Sequence, residues 1–87
     1  MPPLDVPPRF KRVAKKKEPR LQAAIARCLQ LLGDDPNHPG LHKHRVQGAP
    51  GVWEAYVDGA NRVTFHYSEG TIVMRNNCNH DIVSRSP

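Results

Sequence analysis

The sequence predicts an α+β fold: a short N-terminal strand, a two-helix hairpin, and a four-stranded antiparallel meander packed on the helices. Three observations predict it. Leu21, Ala24, Ile25, Cys28, Leu31 and Leu32 make an apolar stripe at helical spacing, as expected of a helix with one face on a core. The segments beginning at Val52, Arg62 and Thr71 alternate apolar with polar residues between turn-forming groups, the period-two pattern of half-buried strands. The helical segments are segregated from the run of strands that follows, which marks α+β rather than alternating α/β architecture.

Residues Met1 to Pro8 include Pro2, Pro3, Pro7 and Pro8, with Leu4 and Val6 as apolar alternates. Proline donates no ladder hydrogen bond, so the segment reads as a short edge strand at best. Phe10, Val13, Ala14 and Lys17 then fall at i, i+3, i+4 and i+7, a short helix with a mostly basic outer face whose alkyl stems can cover some core. Pro19 opens the second helix as a first-turn proline, and Gly33 is expected to stop it after Leu32. Asp34 to Gly40 is a turn-rich connector. Leu41 to Val46 reads as a strand with His42, His44 and Val46 on one face and Leu41, Lys43 and Arg45 on the other. In the strand Val52 to Asp58, Trp53, Ala55 and Val57 are apolar, while Glu54, Tyr56 and Asp58 point the other way. Gly59, Ala60 and Asn61 close a hairpin into Arg62 to Tyr67, whose apolar set is Val63, Phe65 and Tyr67; Arg62, Thr64 and His66 face outward. Ser68 to Gly70 turn the chain into Thr71 to Asn76, and His80 follows just past that strand. The result is a sheet with one greasy face and one charged face.

A chain of 87 residues makes one domain, residues 1–87. Its core must be small, because a chain this short buries only roughly 60–65% of its unfolded surface. Thirteen Lys/Arg against eight Asp/Glu leave a charge of +5, which favours a polyanion or an acidic protein as partner and says nothing about fold. Arg9, Lys11, Arg12, Lys15, Lys16, Lys17, Arg20 and Arg27 crowd the helical half against one acid, Glu18. That run reads equally as a solvated face or as a surface for phosphates or an acidic peptide. Cys28 and Cys78 are too few for a disulfide scaffold, and Cys28 is expected simply to pack on its helix stripe. The N-terminal segment lacks the apolar core of a secretion signal, and no run approaches the ~20 apolar residues of a membrane span. A cytoplasmic protein with reduced thiols and no membrane association is expected.

The ordered set P-R-F-K-R-V-A-K-K, L-L-G-D-D-P, G-L-H-K-H-R-V-Q-G, G-V-W-E-A-Y-V, N-R-V-T-F and N-H-D resembles the RelE/ParE toxin superfamily of bacterial type II toxin–antitoxin pairs, most of all its RelE, YoeB and YafQ branch. The match runs from about Pro7 to Val83. The resemblance implies a RelE-like fold with a nucleic-acid-facing concave side. It also implies an endoribonuclease that cuts mRNA on the ribosome and needs neither metal nor cofactor. A cognate antitoxin is implied as partner, folding on contact with the basic surface in a heteromeric complex. The ParE branch inhibits DNA gyrase without chemistry on the same fold, and that alternative stays open.

Such RNA cleavage needs a base for the 2′-hydroxyl proton, positive charge on the scissile phosphate and an acid for the departing 5′-oxygen. By the resemblance, Arg62 binds the phosphate, a task suited to a planar and always-charged guanidinium. The bland reading of Arg62 is a surface arginine capping a hairpin. His80 matches a catalytic histidine of the YoeB and YafQ types, and His44 one used in the YafQ type; either can carry a proton near neutral pH. His42, on the same strand face as His44, could only assist. Lys43, Arg45, Arg75 and Asp81 are expected at the RNA. The chain departs from RelE where that type has two lysines, since Glu54 and Tyr56 stand on the corresponding strand. Glu54 is then either the base or an ion-pair partner. Tyr56 could stack on a base, a contact worth ~1–3 kcal/mol, in place of the tyrosine that YoeB has where this chain has Asp81. Trp53 is read as core. A zinc site from His42, His44, Cys78 and His80 has suitable ligand types but lacks paired-cysteine spacing, and no metal is expected.

Overall fold

The computed structural model describes residues 3–79 together with Val83 and Pro87. Strand β1 (Leu4–Asp5) leads into helices α1 (Pro8–Lys15) and α2 (Pro19–Asp34). A 3-10 turn (Pro39–Leu41) precedes β2 (His44–Arg45), β3 (Val52–Tyr56), β4 (Asn61–Ser68) and β5 (Thr71–Asn79). The sheet order is β1-β5-β4-β3-β2. The expected meander is present as β2 to β5, every neighbour antiparallel. β1 adds a fifth strand on the far edge, parallel to β5, with Leu4 opposite Ile72 and Asp5 opposite Val73.

Each helix opens on a proline, Pro8 and Pro19, whose missing N–H would have had no helical partner there. The Gln22 side chain donates to Lys15 O at 3.2 Å and Lys17 O at 2.7 Å, binding the open end of α1 to the start of α2. Gly33 does not stop α2, which runs on to Asp34. The stop belongs to Asp35, at φ −152°, ψ 85°. It precedes Pro36, and a residue before proline is disfavoured from the helical region.

The main core joins Phe10, Ile25, Cys28, Leu32 and Leu41 to Ala55, Val63, Phe65, Ile72 and Met74 on one face of the sheet. Trp53 packs against it, as expected. Asn77 lies within this core at 1% exposure, and its Nδ2 donates to Phe10 O at 3.1 Å, tying α1 to β5. The β4–β5 turn places Glu69 at φ 50° and Gly70 at φ 81°, between the paired Ser68 and Thr71. Two consecutive positive φ angles mark the turn that matches strand twist in a two-residue hairpin.

Two expectations need correction. Leu41 to Val46 is not one strand: Leu41 closes the 3-10 turn, His42 adopts the left-handed conformation (φ 46°, ψ 44°), and pairing is confined to His44 and Arg45. A positive φ breaks the extended run before it begins. The outer sheet face is not wholly polar either. Val46, Val52, Cys78 and Val83 form a second apolar cluster. On the same face Thr64, expected outward, is fully buried, its Oγ1 accepting Asn76 N–H at 3.1 Å. This hydrogen bond sits beside the register shift at Thr64/Phe65, where Thr64 faces Asn76 and Phe65 faces Met74. Among the described residues, no helix is long and apolar enough to cross a membrane.

Candidate active site

Alternation along β3 sends Ala55 into the main core and so turns Glu54 and Tyr56 to the opposite face. The register then brings their partners alongside. His44 lies opposite Glu54, and Arg62 lies opposite Tyr56. Two positions along a strand span about 7 Å, so His44, Glu54, Tyr56 and Arg62 form one contiguous patch across β2, β3 and β4.

Arg62 is held by the β3–β4 hairpin. Asp58 Oδ1 accepts Ala60 N–H at 3.0 Å, Asn61 N–H at 2.9 Å and Asn61 Nδ2 at 3.0 Å. The Asn61 side chain is the main cause of a carboxyl held below its ordinary value; desolvation opposes, and the two backbone N–H groups and Arg62 assist. Arg62 Nη1 donates back to Asp58 O at 2.6 Å and Asn61 O at 2.9 Å. Its guanidinium carbon lies 4.9 Å from the Tyr56 ring centroid. Both protein bonds use Nη1, so the Nε–Nη2 edge, which can grip two phosphate oxygens, has no acceptor among the described residues. Capping a hairpin and presenting a fork are thus compatible in one side chain.

The His42 ring meets the other side of this assembly, edge-on to Tyr56 with centroids 5.4 Å apart. His44 Nδ1 lies 2.9 Å from His42 O, and His44 Nε2 pairs with Glu54 Oε1. The His44 side chain is 58% exposed and that of Glu54 14%, so the imidazole reaches outward from a carboxylate set into the sheet. Cys78 lies opposite Arg62 on β5. Burial pushes its thiol up, the Lys17 charge opposes and the Glu54 charge assists.

No protein-family model matches the chain, and no curated protein matches it in sequence. Solved structures do. YafQ from E. coli strain BL21(DE3) superposes with a TM-score of 0.75 at 12% identity, over 95% of this chain and 98% of that one. The toxin–antitoxin complex RelBE2 from Mycobacterium tuberculosis matches with a TM-score of 0.73 at 18% identity, covering 92% of this chain and 100% of that one. The chain has the RelE/ParE toxin fold. A YoeB/ParE toxin from Agrobacterium tumefaciens matches as well, with a TM-score of 0.70 at 13% identity, over 90% of this chain and 98% of that one. At such identities the RelE/ParE fold is shared while most side chains differ, so the chemistry has to be read from this chain's own residues.

On this RelE/ParE sheet the residues singled out from sequence divide into three groups. Arg62, His44, Glu54 and Tyr56 come together. Lys43 and Arg45 do not join them. Lys43 Nζ bonds Asn37 Oδ1 at 3.0 Å and Tyr67 OH at 3.2 Å. Lys43 and Arg45 each lie 5.1 Å from the Trp53 ring, at the helix-side edge. As neighbours of His44 in an extended segment, both are turned to the face opposite it. Arg75 sits toward the other end of the site face, its Nη1 3.1 Å from His66 Nδ1. His80 and Asp81 lie outside the described residues. No cluster of three or more His, Cys, Asp or Glu suited to a metal occurs among the described residues.

One contributor escaped the sequence reading, and another, His42, assists in a way that reading did not foresee. Asp58 organises the turn that aims Arg62, and the signal was present in D-G-A-N, where an aspartate commonly bonds the N–H two residues on. His42 supplies the carbonyl that holds His44. Nothing local announced a left-handed histidine there.

Proposed function

We propose that the chain is the toxin of a toxin–antitoxin pair, one cytoplasmic domain that cleaves mRNA in association with the ribosome. The observation that carries this reading is the patch that pairs an outward guanidinium edge at Arg62 with a proton-carrying imidazole and carboxylate at His44 and Glu54. In-line cleavage asks for that combination. A base removes the 2′-hydroxyl proton, the 2′-oxygen forms a bond to phosphorus, and the bond from phosphorus to the 5′-oxygen breaks. The leaving oxygen takes a proton, giving a 2′,3′-cyclic phosphate and a free 5′-hydroxyl. Arg62 neutralises charge building on the phosphate, His44 and Glu54 manage the first proton, and His80 is the expected donor of the second. Tyr56, 37% exposed beside Arg62, offers a face for base stacking.

An antitoxin partner is supported by the surface on the helices. Val6, Phe10, Ala14, Ile25 and Leu29 line an apolar groove between α1 and α2, flanked by Lys11 and Lys15. An amphipathic acidic segment suits both its apolar floor and its charged rim. The M. tuberculosis structure with this fold is itself a toxin–antitoxin complex.

The test is mapping of 5′ ends in cellular mRNA after brief induction of the wild type and of a variant carrying Arg62→Ala and His44→Ala. New ends within coding sequences, absent from the variant, are expected. Growth arrest with DNA breaks and no new ends would instead assign the gyrase-inhibiting activity. Neither arrest nor new ends would remove the toxin reading.

A further inference from the structure

Hydrogen-bond chemistry restricts what His44 can do. A backbone carbonyl only accepts, so the contact from Nδ1 to His42 O requires Nδ1 to carry a proton. Nε2 is then the nitrogen that exchanges protons, and it faces Glu54 Oε1. One further proton belongs to that contact, residing on the imidazole against a carboxylate or on the carboxyl group against a neutral ring. We propose that Glu54 is the positioning residue for His44. In this arrangement the two share one proton as a unit, and the left-handed backbone of His42 sets the tautomer.

This assignment rests on the ribonuclease reading for its catalytic meaning, though its geometry stands independently. Glu54 is the less exposed member, at 14% against 58% for His44, and it sits in the sheet between His44 and Thr64. A carboxylate there cannot easily turn aside, so it holds the imidazole plane while the ring reaches out. The His42 carbonyl is aimed by φ 46°, ψ 44°, a conformation uncommon outside glycine that histidine, like asparagine and aspartate, adopts more readily than most residues and that is often found at functional sites. The His42 ring against Tyr56, and Tyr56 under Arg62, run this support to the phosphate-facing guanidinium without a gap.

Before cleavage the contact proton passes to solvent, leaving a neutral ring against the Glu54 carboxylate, and the 2′-hydroxyl proton then takes its place in the Nε2–Oε1 contact. The electron pair of that O–H bond becomes the nucleophile toward phosphorus. The proton stays on Nε2, stabilised by Glu54, until solvent removes it after release of the 5′-hydroxyl product. No further reactant is needed. Nδ1 keeps its proton throughout.

Imidazole ¹⁵N and ¹H NMR of the full-length chain, purified without RNA, tests the tautomer directly. The expected pattern for neutral His44 is a protonated Nδ1 and an unprotonated Nε2. The opposite pattern would overturn the assignment, whatever RNA cleavage shows. His42→Asn, which tolerates the left-handed conformation, should keep the pattern. His42→Val, which does not, should lose it. Glu54→Gln preserves shape and can still bond Nε2 but cannot take up or give back the shared proton. Its single-turnover cleavage of mRNA on programmed ribosomes should fall on the order of 10²-fold with KM unchanged. Cleavage by Glu54→Gln at the parental rate would overturn the shared-proton role. A parent that cleaves no RNA but shows the expected tautomer would remove the ribonuclease reading and leave the His42–His44–Glu54 geometry standing.

Discussion

Arg62 performs two tasks that one substitution can separate. Arg62→Ala removes two hydrogen bonds to hairpin carbonyls, at 2.6 and 2.9 Å, and a ring contact with Tyr56 at 4.9 Å. In this half-buried setting the bonds are worth roughly 0.5–1 kcal/mol each, because water can rehydrate the carbonyls, and the ring contact about another 0.5–1. The loss should total roughly 1.5–3 kcal/mol, which for a domain of this size lowers the melting midpoint by about 10 °C. Arg62→Lys keeps the charge and one donor bond, so about half of that stability should return. Cleavage should not return. A single ammonium already bonded to the turn has no planar edge for two phosphate oxygens, and a lost charge-stabilising donor costs on the order of 10²–10³ in rate. Urea melts and single-turnover cleavage of one mRNA on programmed ribosomes, run on all three proteins, compare the two quantities. If Arg62→Lys cleaves within about threefold of the parent, the fork argument fails. If Arg62→Ala melts with the parent, the hairpin contacts carry no stability and the structural half of the reasoning fails.

Asp58→Ala should destabilise the protein at neutral pH, and the gap to the parent should narrow in acid. The Asp58 carboxyl lies below its ordinary 3.8, so its contribution is complete above that value and disappears as pH falls through the lowered one. Equal gaps in urea melts at about pH 7 and about pH 3 would exclude the charge as the cause. Glu69→Asn should stabilise by about 0.5–1 kcal/mol, because asparagine accepts the positive φ that glutamate resists; an unchanged melt would show that the turn is unstrained. Burial pushes the Cys28 thiol up to about 11. At about pH 8 only ~0.1% of it is thiolate, so alkylation followed by mass spectrometry should run about two orders of magnitude slower than in denaturant.

The faces of the sheet were legible in the sequence because side chains alternate with period two wherever a strand is continuous. Trp53 inward and Glu54, Tyr56 and Arg62 outward follow from that rule alone. The long helix was legible from its stripe, but its end was misplaced, since Pro36 acts through Asp35 and outweighs Gly33. Pairing between distant segments was not legible. Nothing near Leu4 says that it lies beside Ile72, and nothing near Cys78 says that Val46 and Val52 meet it. The site divided along the same line. His44 opposite Glu54 is a matter of register, and the carbonyl that holds its ring depends on one left-handed residue. Lys43 and Arg45 were assigned to the RNA by charge, although alternation had already set them on the face opposite His44, where they lie beside Trp53.

The place of β5 governs the order in which the molecule can assemble. It lies between β1 and β4, so the first strand made has no neighbour until a strand about 70 residues later arrives, a closure costing on the order of 4 kcal/mol in chain entropy. The Asn77 amide that holds α1 comes from the same late strand. A growing chain that ends before Thr71 has β2 to β4 and the part of the core that Ala55, Val63 and Phe65 supply, but no strand to join β1 to them. Completion of the sheet therefore waits for β5, and long-range pairing of this kind slows folding. In a chain cut short of its last strand, Arg62 has no Cys78 across from it, and the strand that carries the site arginine becomes an open edge.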